Sequence, residues 1–482
     1  MKSKNKIIVG VFIALMGLAS CSKYLDINKS PLTATEVEPK LLFGYAITAW
    51  DANKNSGDSW LPISLFTQNI ASGGDYGWGK ENVYSLGPYM LGNTWKVYYS
   101  TAGNNLKQAI AIAETSEPVN NNAAAQCKIV LAQLMYEATT LYGDVPFSEA
   151  WDAVNFPYPK YDPQKDVFEG VLGLLDEAKG QIDPNNDLKI SDYDVYYHGD
   201  MDAWTALANS IKLKVLMTMV DKDPTKAEDI GELVSNPSTL ISSAEEAWVH
   251  PYFDKTDNEN PKYRLLKEYT NGENQWFFAN TNVFKFMEPH NDPRIPQFFD
   301  KGPKATGYKA VESEVLADET TSLISAYLYR KDAPSPILTY QETLFFEAEA
   351  YARGLGVAKN LSTAQDLFKR GVEAAMNFYE ADPSGIQTYL ANELPDLATS
   401  ADPVKEIHIQ QWIDLMDRPT EAFTQWRRSG PEGSEIPELK RPSGATSGPL
   451  IRRLTLSPDE ISANPSIPSP LPRYTDKVWF DE

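Results

Sequence analysis

The chain has 482 residues, and its 66 Asp and Glu outnumber 44 Lys and Arg to give a net charge of −22. Such an acidic surface repels phosphate backbones, which excludes nucleic acid as a partner and disfavours anionic polymers while leaving neutral ligands open. With 2 cysteines there is no disulfide framework, so a hydrophobic core has to hold the fold, and the length permits one.

Lys2, Lys4 and Lys6 precede an apolar stretch from Ile7 to Leu18, which runs into Leu18-Ala19-Ser20-Cys21. A charged start, a short apolar run and small residues before a cleavage point describe a secretory signal, and the run is too short to span a bilayer. The Cys in that position predicts a lipoprotein signal peptide over 1–20 and acylation of Cys21. Several acyl chains on one residue anchor stably, because each buried methylene adds about 0.8 kcal/mol. Ser22 stands where an Asp would retain the protein at the inner membrane, so release to the outer membrane is expected. Residues 21–40 read as a polar tether and 41–482 as one large domain. No later segment has the length and apolarity of a span, so the lipid is the expected membrane contact. Cys127 lies in an apolar helical pattern and reads as a small core residue.

Helical periodicity dominates after the tether. From Lys40, the positions Leu42, Tyr45, Ala46, Ala49 and Trp50 form one stripe. In 123–142 the stripe is Val130, Leu131, Leu134, Met135, Ala138 and Tyr142, with Gly143 as a stop. Pro163 suits the first turn of a helix whose apolar face runs through Val167, Val171, Leu174 and Leu175. Trp204, Leu207, Ala208, Ile211, Val215 and Met219 mark another helix in 201–221. Leu344, Phe345, Ala348, Tyr351 and Ala352 mark a further one in 339–354, stopped by Gly354. Segments 93–114 with 123–141, and 163–181 with 201–221, recur as helix pairs, the tetratricopeptide pattern without its clean consensus. Long irregular stretches intervene: the glycine-rich 71–80, residues 224–335, and 430–472 with its recurrent Pro and Gly. The fold class expected is therefore mainly α, with tetratricopeptide-like helix pairs and long loop-rich insertions in a single large domain.

Signals for chemistry are thin. The 4 His have no zinc spacing, and no nucleophile elbow, Walker loop or dinucleotide fingerprint is present. Asp183 to Asp194 lacks the glycine and terminal Glu of a calcium loop. No catalytic residue, metal or cofactor is expected. The 11 Trp and 25 Tyr are more informative. Trp50, Trp95 and Trp204 sit in apolar stripes and read as core. Tyr76 and Trp78 sit among Gly73, Gly74, Gly77 and Gly79, and Trp276 follows Asn274 in a polar loop. Sugar rings present C–H faces that stack on such rings, while Asn and Asp bind hydroxyls. The expected ligand site is Trp60, Asp75, Tyr76, Trp78, Asn274 and Trp276.

In order along the chain come Cys21-Ser-Lys-Tyr-Leu-Asp-Ile-Asn28, Trp95-x-x-Tyr98 leading to Asn104-Asn105, and Tyr142-Gly-Asp-Val-Pro146. They are followed by Gly199-Asp200-x-x-x-Trp204 running to Ala208-Asn209-Ser210, then Asn291-Asp-Pro-Arg294. Tyr340-x-Glu342 through Glu347-Ala-Glu-Ala350 to Arg353-Gly354, then Trp426-Arg-Arg-Ser-Gly-Pro431 and Trp479-Phe-Asp481, complete the set. This series resembles the SusD/RagB family of outer-membrane nutrient-binding lipoproteins of the Bacteroidetes, and the SusD-like subgroup more than starch-binding SusD. The resemblance implies a helical body that sits as a lid on a SusC-like TonB-dependent transporter and passes it an oligosaccharide, without catalysis. A peptide ligand and a secreted glycoside hydrolase are the alternatives. Lys212 and Lys214 stand where the family often has Arg, keeping charge but losing the bidentate fork.

Overall fold

The computed structural model describes residues 37–72, 84–86, 88–268, 272, 274, 276–443 and 449–482, except the side chains of 88–91 and 268. Cys21, the signal and most of the tether lie outside them. Residues Pro39–Glu482 form one unit.

It opens with α1 (Pro39–Lys54) and α2 (Trp60–Phe66), followed by strand β1 (Ile70–Ser72). Next come α3 (Pro88–Lys96), a π-helical segment (Val97–Gly103) and α4 (Asn104–Thr115), with no residue between them. Helices α5 (Asn121–Tyr142), α6 (Gln164–Gln181) and α7 (Met201–Met219) then pack in succession, α4 on α5, α5 on α6, α6 on α7. This is the expected chain of helix pairs. The caps are those the sequence chemistry favours: Asn120 and Asp200 accept from the first N–H groups of α5 and α7. Gly143, at φ 77°, ends α5 in a conformation that a side chain resists.

The register of α1 differs from expectation. Its buried face is Phe43, Ala46, Ile47 and Trp50, while Tyr45 is 57% exposed. Two adjacent apolar stripes compete on that helix. The one that wins places Trp50 Nε1 2.8 Å from Glu137 on α5.

The long middle stretch holds short elements. After α8 (Ala227–Val234) and β2 (Trp248–His250) come β3 (Phe277–Ala279), α9 (Thr281–Met287), β4 (Phe299–Asp300), β5 (Leu323–Ile324) and β6 (Ser335–Leu338). They form an antiparallel sheet in the order β1-β3-β5-β4 and a separate β2-β6 pair. The second half is more helical than periodicity indicated. Helices α10 (Tyr340–Arg353), α11 (Leu361–Phe378), α12 (Pro383–Asn392), α13 (Pro403–Asp414) and α14 (Pro419–Arg428) follow one another closely. The short α15 (Pro458–Ala463) stands in the Pro-rich tail.

The shared motifs serve this body. Glu349 on α10 takes both oxygens to Arg428 on α14, at 2.8 and 2.7 Å, and also meets Arg353 and His408. Arg427 donates to the carbonyls of Thr140 and Arg452 at 2.7 and 2.8 Å, so it pins α14 to α5 and to the tail. Lys54 bridges Glu137 and Glu421, each at 2.6 Å, joining α1, α5 and α14. Lys214 is buried against Glu342 at 3.1 Å, whereas Lys212 reaches Asp176 near the surface. Cys127 is buried, and burial raises its thiol pKa.

Candidate functional site

β1 and β3 pair with Ile70 opposite Ala279, Ala71 opposite Phe278 and Ser72 opposite Phe277. Ser72 is the last described residue before Gly73, and Phe277 directly follows Trp276. The antiparallel register therefore brings to one end of the sheet the residues that border the glycine-rich segment and the central aromatic segment. Asp75, Tyr76 and Trp78 lie outside the described residues. Trp276 is half-buried and packs on the core.

Two of the expected ligand residues, Trp60 and Asn274, are buried with partners of their own. Trp60 is 2% exposed, and its indole N–H donates to the Asp417 carboxylate at 3.2 Å. Its ring, with the Lys262 ammonium 5.9 Å from the centroid, is core. Asn274 is buried as well. Its oxygen accepts from the N–H groups of Trp276 and Phe277, and its amide donates to the carbonyls of Phe277 and Ile324. Asn274 therefore closes the turn that presents Trp276, and every strong valence it has is spent on backbone. Both residues follow from one physical fact: a ring or an amide in a polar-looking stretch still folds inward if it finds partners there.

At the opposite end of the β1–β3 ladder, next to Ile70 and Ala279, lies a cavity of about 230 Å³, lined by Gln68, Asn282, Lys285, Glu312 and Lys440 among others. Gln68 is held at φ 59°, a strained conformation for a side-chain-bearing residue. Its amide donates to the Lys440 carbonyl and accepts from Asn282, each at 2.6 Å. Lys285 reaches Asn282 at 3.0 Å, and partial burial lowers its ammonium pKa. Glu312 pairs with Lys440 at 2.7 Å. Amides and compensated charges of both signs suit hydroxyl groups better than a net charge. Sequence reading missed these residues, because only the fold brings 68, 282 and 312 together. The Asn280-Thr-Asn282 run before α9 was the one local cue. Among the described residues, no group of three His, Cys, Asp or Glu is placed to hold a metal ion, and no helix is long and apolar enough to cross a membrane.

A family model described as starch-binding, associating with the outer membrane, matches residues 31–456. Among solved structures, a chitin-binding protein superposes with TM-score 0.75 at 22% identity, covering 92% of this chain and 99% of its own. A SusD/RagB family protein from Bacteroides thetaiotaomicron gives 0.74 at 21%, with the same coverages of 92% and 99%. A SusD homologue from Bacteroides fragilis gives 0.73 at 22%, again covering 92% and 99%. No curated protein matches the chain. At these identities the structures speak for the fold, and the family model speaks for descent: with its mainly helical single domain and its motif series in order, the chain belongs to the SusD/RagB family.

Proposed function

We propose that the protein is a cell-surface lipoprotein that binds a neutral oligosaccharide and passes it, without chemical change, to a TonB-dependent transporter. The observation that carries this reading is the family match over residues 31–456, whose description names starch binding at the outer membrane. The chitin-binding protein of the same fold adds a second neutral polysaccharide to try. In this reading residues 1–20 are removed, Cys21 carries the lipid, and 21–40 is the tether that lets the body move over its transporter. The glycan stacks on Tyr76 and Trp78 with Trp276 beside them, and Asp75 binds hydroxyls. The register of β1 against β3 supports the pairing of these two segments.

Calorimetric titration with maltohexaose and chitohexaose tests binding. Incubation with the same sugars, followed by an assay for new reducing ends, tests the absence of catalysis. Turnover lost on substitution of a single Asp or Glu would replace the binding reading with a hydrolase. Purification of the tagged protein in mild detergent should bring down a large outer-membrane barrel; recovery of the lipoprotein alone, from cells grown on its glycan, would count against the transport role. Metabolic labelling with a fatty-acid analogue should be lost in Cys21→Ala.

A further inference from the structure

A cleft of about 850 Å³ opens between α3 with its π-helical continuation, the irregular segment 146–159, and α15. Among the described residues it shares no lining residue with the cavity around Gln68 and Asn282. Stacked rings form one wall. Trp95 and Tyr99 have centroids 4.5 Å apart, and Tyr99 and Trp151 are 5.7 Å apart at 26°. The polar ends of two of these rings are already engaged. The Tyr99 hydroxyl donates to the Pro146 carbonyl at 2.8 Å, and the Trp151 indole N–H donates to the Tyr99 carbonyl at 2.7 Å. What these rings offer the cleft is apolar surface.

The rim is unusual in two ways. Trp151 is held at φ 63°, an outlier for a bulky side chain, of the kind that surrounding structure must enforce. Beyond it Val154, Phe156 and Tyr158 are 93%, 40% and 56% exposed. Three large apolar side chains left in water within one short segment call for a binding role. The segment is nonetheless fixed. The Phe156 N–H donates to the Asp152 carbonyl at 2.7 Å, Ser466 Oγ to the Tyr158 carbonyl at 3.0 Å, and Asn464 Nδ2 to the Pro159 carbonyl at 3.1 Å. A backbone held in place before the ligand arrives loses little entropy on binding. Asn93, Lys96, Asp459 and Glu460 complete the lining with hydrogen-bonding groups.

We propose that this cleft is a second saccharide site, which takes neutral pyranose rings against Phe156 and Tyr158 and along the Tyr99–Trp151 wall. The ligand class rests on the glycan-binding reading above; the location does not rest on the sheet edge. The chemistry is that of a sugar: C–H faces lie on rings, and hydroxyls donate to the Asp459 and Glu460 carboxylates. The volume is that of a small-ligand site. Among the described residues no strand borders the cleft, and an extended peptide adds to a strand edge.

The test uses the full chain in detergent, titrated calorimetrically with maltohexaose and chitohexaose. Four forms are compared: wild type, Trp78→Ala, the rim pair Phe156→Ala/Tyr158→Ala, and the combination. The expected result is a saccharide that still binds Trp78→Ala and loses tenfold or more in affinity when the rim pair is added. The rim pair should keep the wild-type melting temperature, and Tyr158→Trp should retain binding. If Trp78→Ala alone abolishes all binding, the second site is overturned and the first stands. If the remaining binding ignores the rim pair, the second site is also overturned. No saccharide bound by the wild type overturns both. Rim-dependent binding of a Pro- and Tyr-rich peptide, without any saccharide, overturns the sugar assignment in favour of a peptide.

Discussion

The helical seam around α10 and the sheet edge that ends at Ser72 are built from opposite materials. In the seam, charged residues are buried and paired: Glu342 with Arg418 and Lys214, Glu349 with Arg428, Asp414 with Arg418. At the sheet edge, three strands of two or three residues are held by short ladders and by buried amides such as Asn274 and Asn280. Removing one partner from a desolvated pair leaves an uncompensated charge, so the seam tolerates little change. A short sheet with aromatic residues on its borders can vary them without loss of the body. The seam holds two of the motifs shared with the family, Tyr340–Gly354 and Trp426–Pro431, where Glu342, Glu349 and Arg428 are committed to pairing.

The comparison is broken most directly at Glu349. Burial alone would raise its pKa, but Arg428, His408 and Arg353 together hold the carboxyl well below the usual range. Glu349→Ala should cost roughly 3–5 kcal/mol in denaturant unfolding, the usual effect of breaking a buried pair. Trp204→Ala should cost a similar 3–5 kcal/mol, because its ring is fully buried and its N–H donates to Asp194 at 2.7 Å. A loss below about 1 kcal/mol in Glu349→Ala would show that the seam is less decisive than its pairing suggests, and the same result in Trp204→Ala would show that this ring is not core.

Glu347 sharpens the contrast from two residues away on the same helix. It is buried without a close cation, and desolvation, only partly offset by Arg370, pushes its pKa up to about 7. A carboxyl raised in the folded state contributes stability that is complete below the unfolded value near 4.5 and is lost as pH rises through about 7. Glu349, with its depressed value, behaves oppositely: its contribution is present above the unfolded value and is lost on acidification below it. Glu347→Gln should therefore stabilise the protein at pH 8 by about 1–3 kcal/mol and flatten its stability between pH 4.5 and 7 relative to wild type. An unchanged difference between the two proteins across that range would mean that Glu347 is ionised without cost.

The same contrast governs what was legible in the sequence. Helices α5, α7 and α10 were read to within about two residues because their stripes and caps are local signals. α14 has no counterpart among the predicted helices. Its apolar stripe is short, Ala422, Phe423 and Trp426, while the polar Thr420, Glu421, Thr424, Gln425, Arg427 and Arg428 are buried as well. α11 does carry an ordinary stripe, through Ala364, Leu367, Phe368 and Val372, and it shows that the periodicity reading stopped too early at Gly354. The site was harder still. Strands of three residues have no period to read, and the pairing of Ser72 with Phe277 exists only after the chain has folded. Trp60 and Asn274 were assigned to a ligand on local polarity, whereas their partners, Asp417 and the Ile324 carbonyl, come from other parts of the chain. Trp95 read as core and is 7% exposed, yet it also lines the aromatic cleft, because a buried ring can still show one edge to a cavity.

The smallest expected effect on stability belongs to Trp78→Ala, and it is the variant that separates the two regions most cleanly. If Trp78 stacks on the glycan, truncation removes a binding face and no packing. Interface truncations of this kind commonly cost about 2 kcal/mol or more, which lowers affinity by roughly tenfold or more. The melting temperature should stay within the scatter of a surface substitution, about 0.5 kcal/mol in stability. Trp204→Ala should show the reverse, losing stability and, in the fraction that remains folded, binding normally. The paired design controls for the loss of an indole as such, since both variants delete the same group. Normal binding by Trp78→Ala together with early unfolding would make that ring core, as Trp60 proved to be, and would move the search for the ligand to Trp276 and the cavity around Gln68 and Asn282.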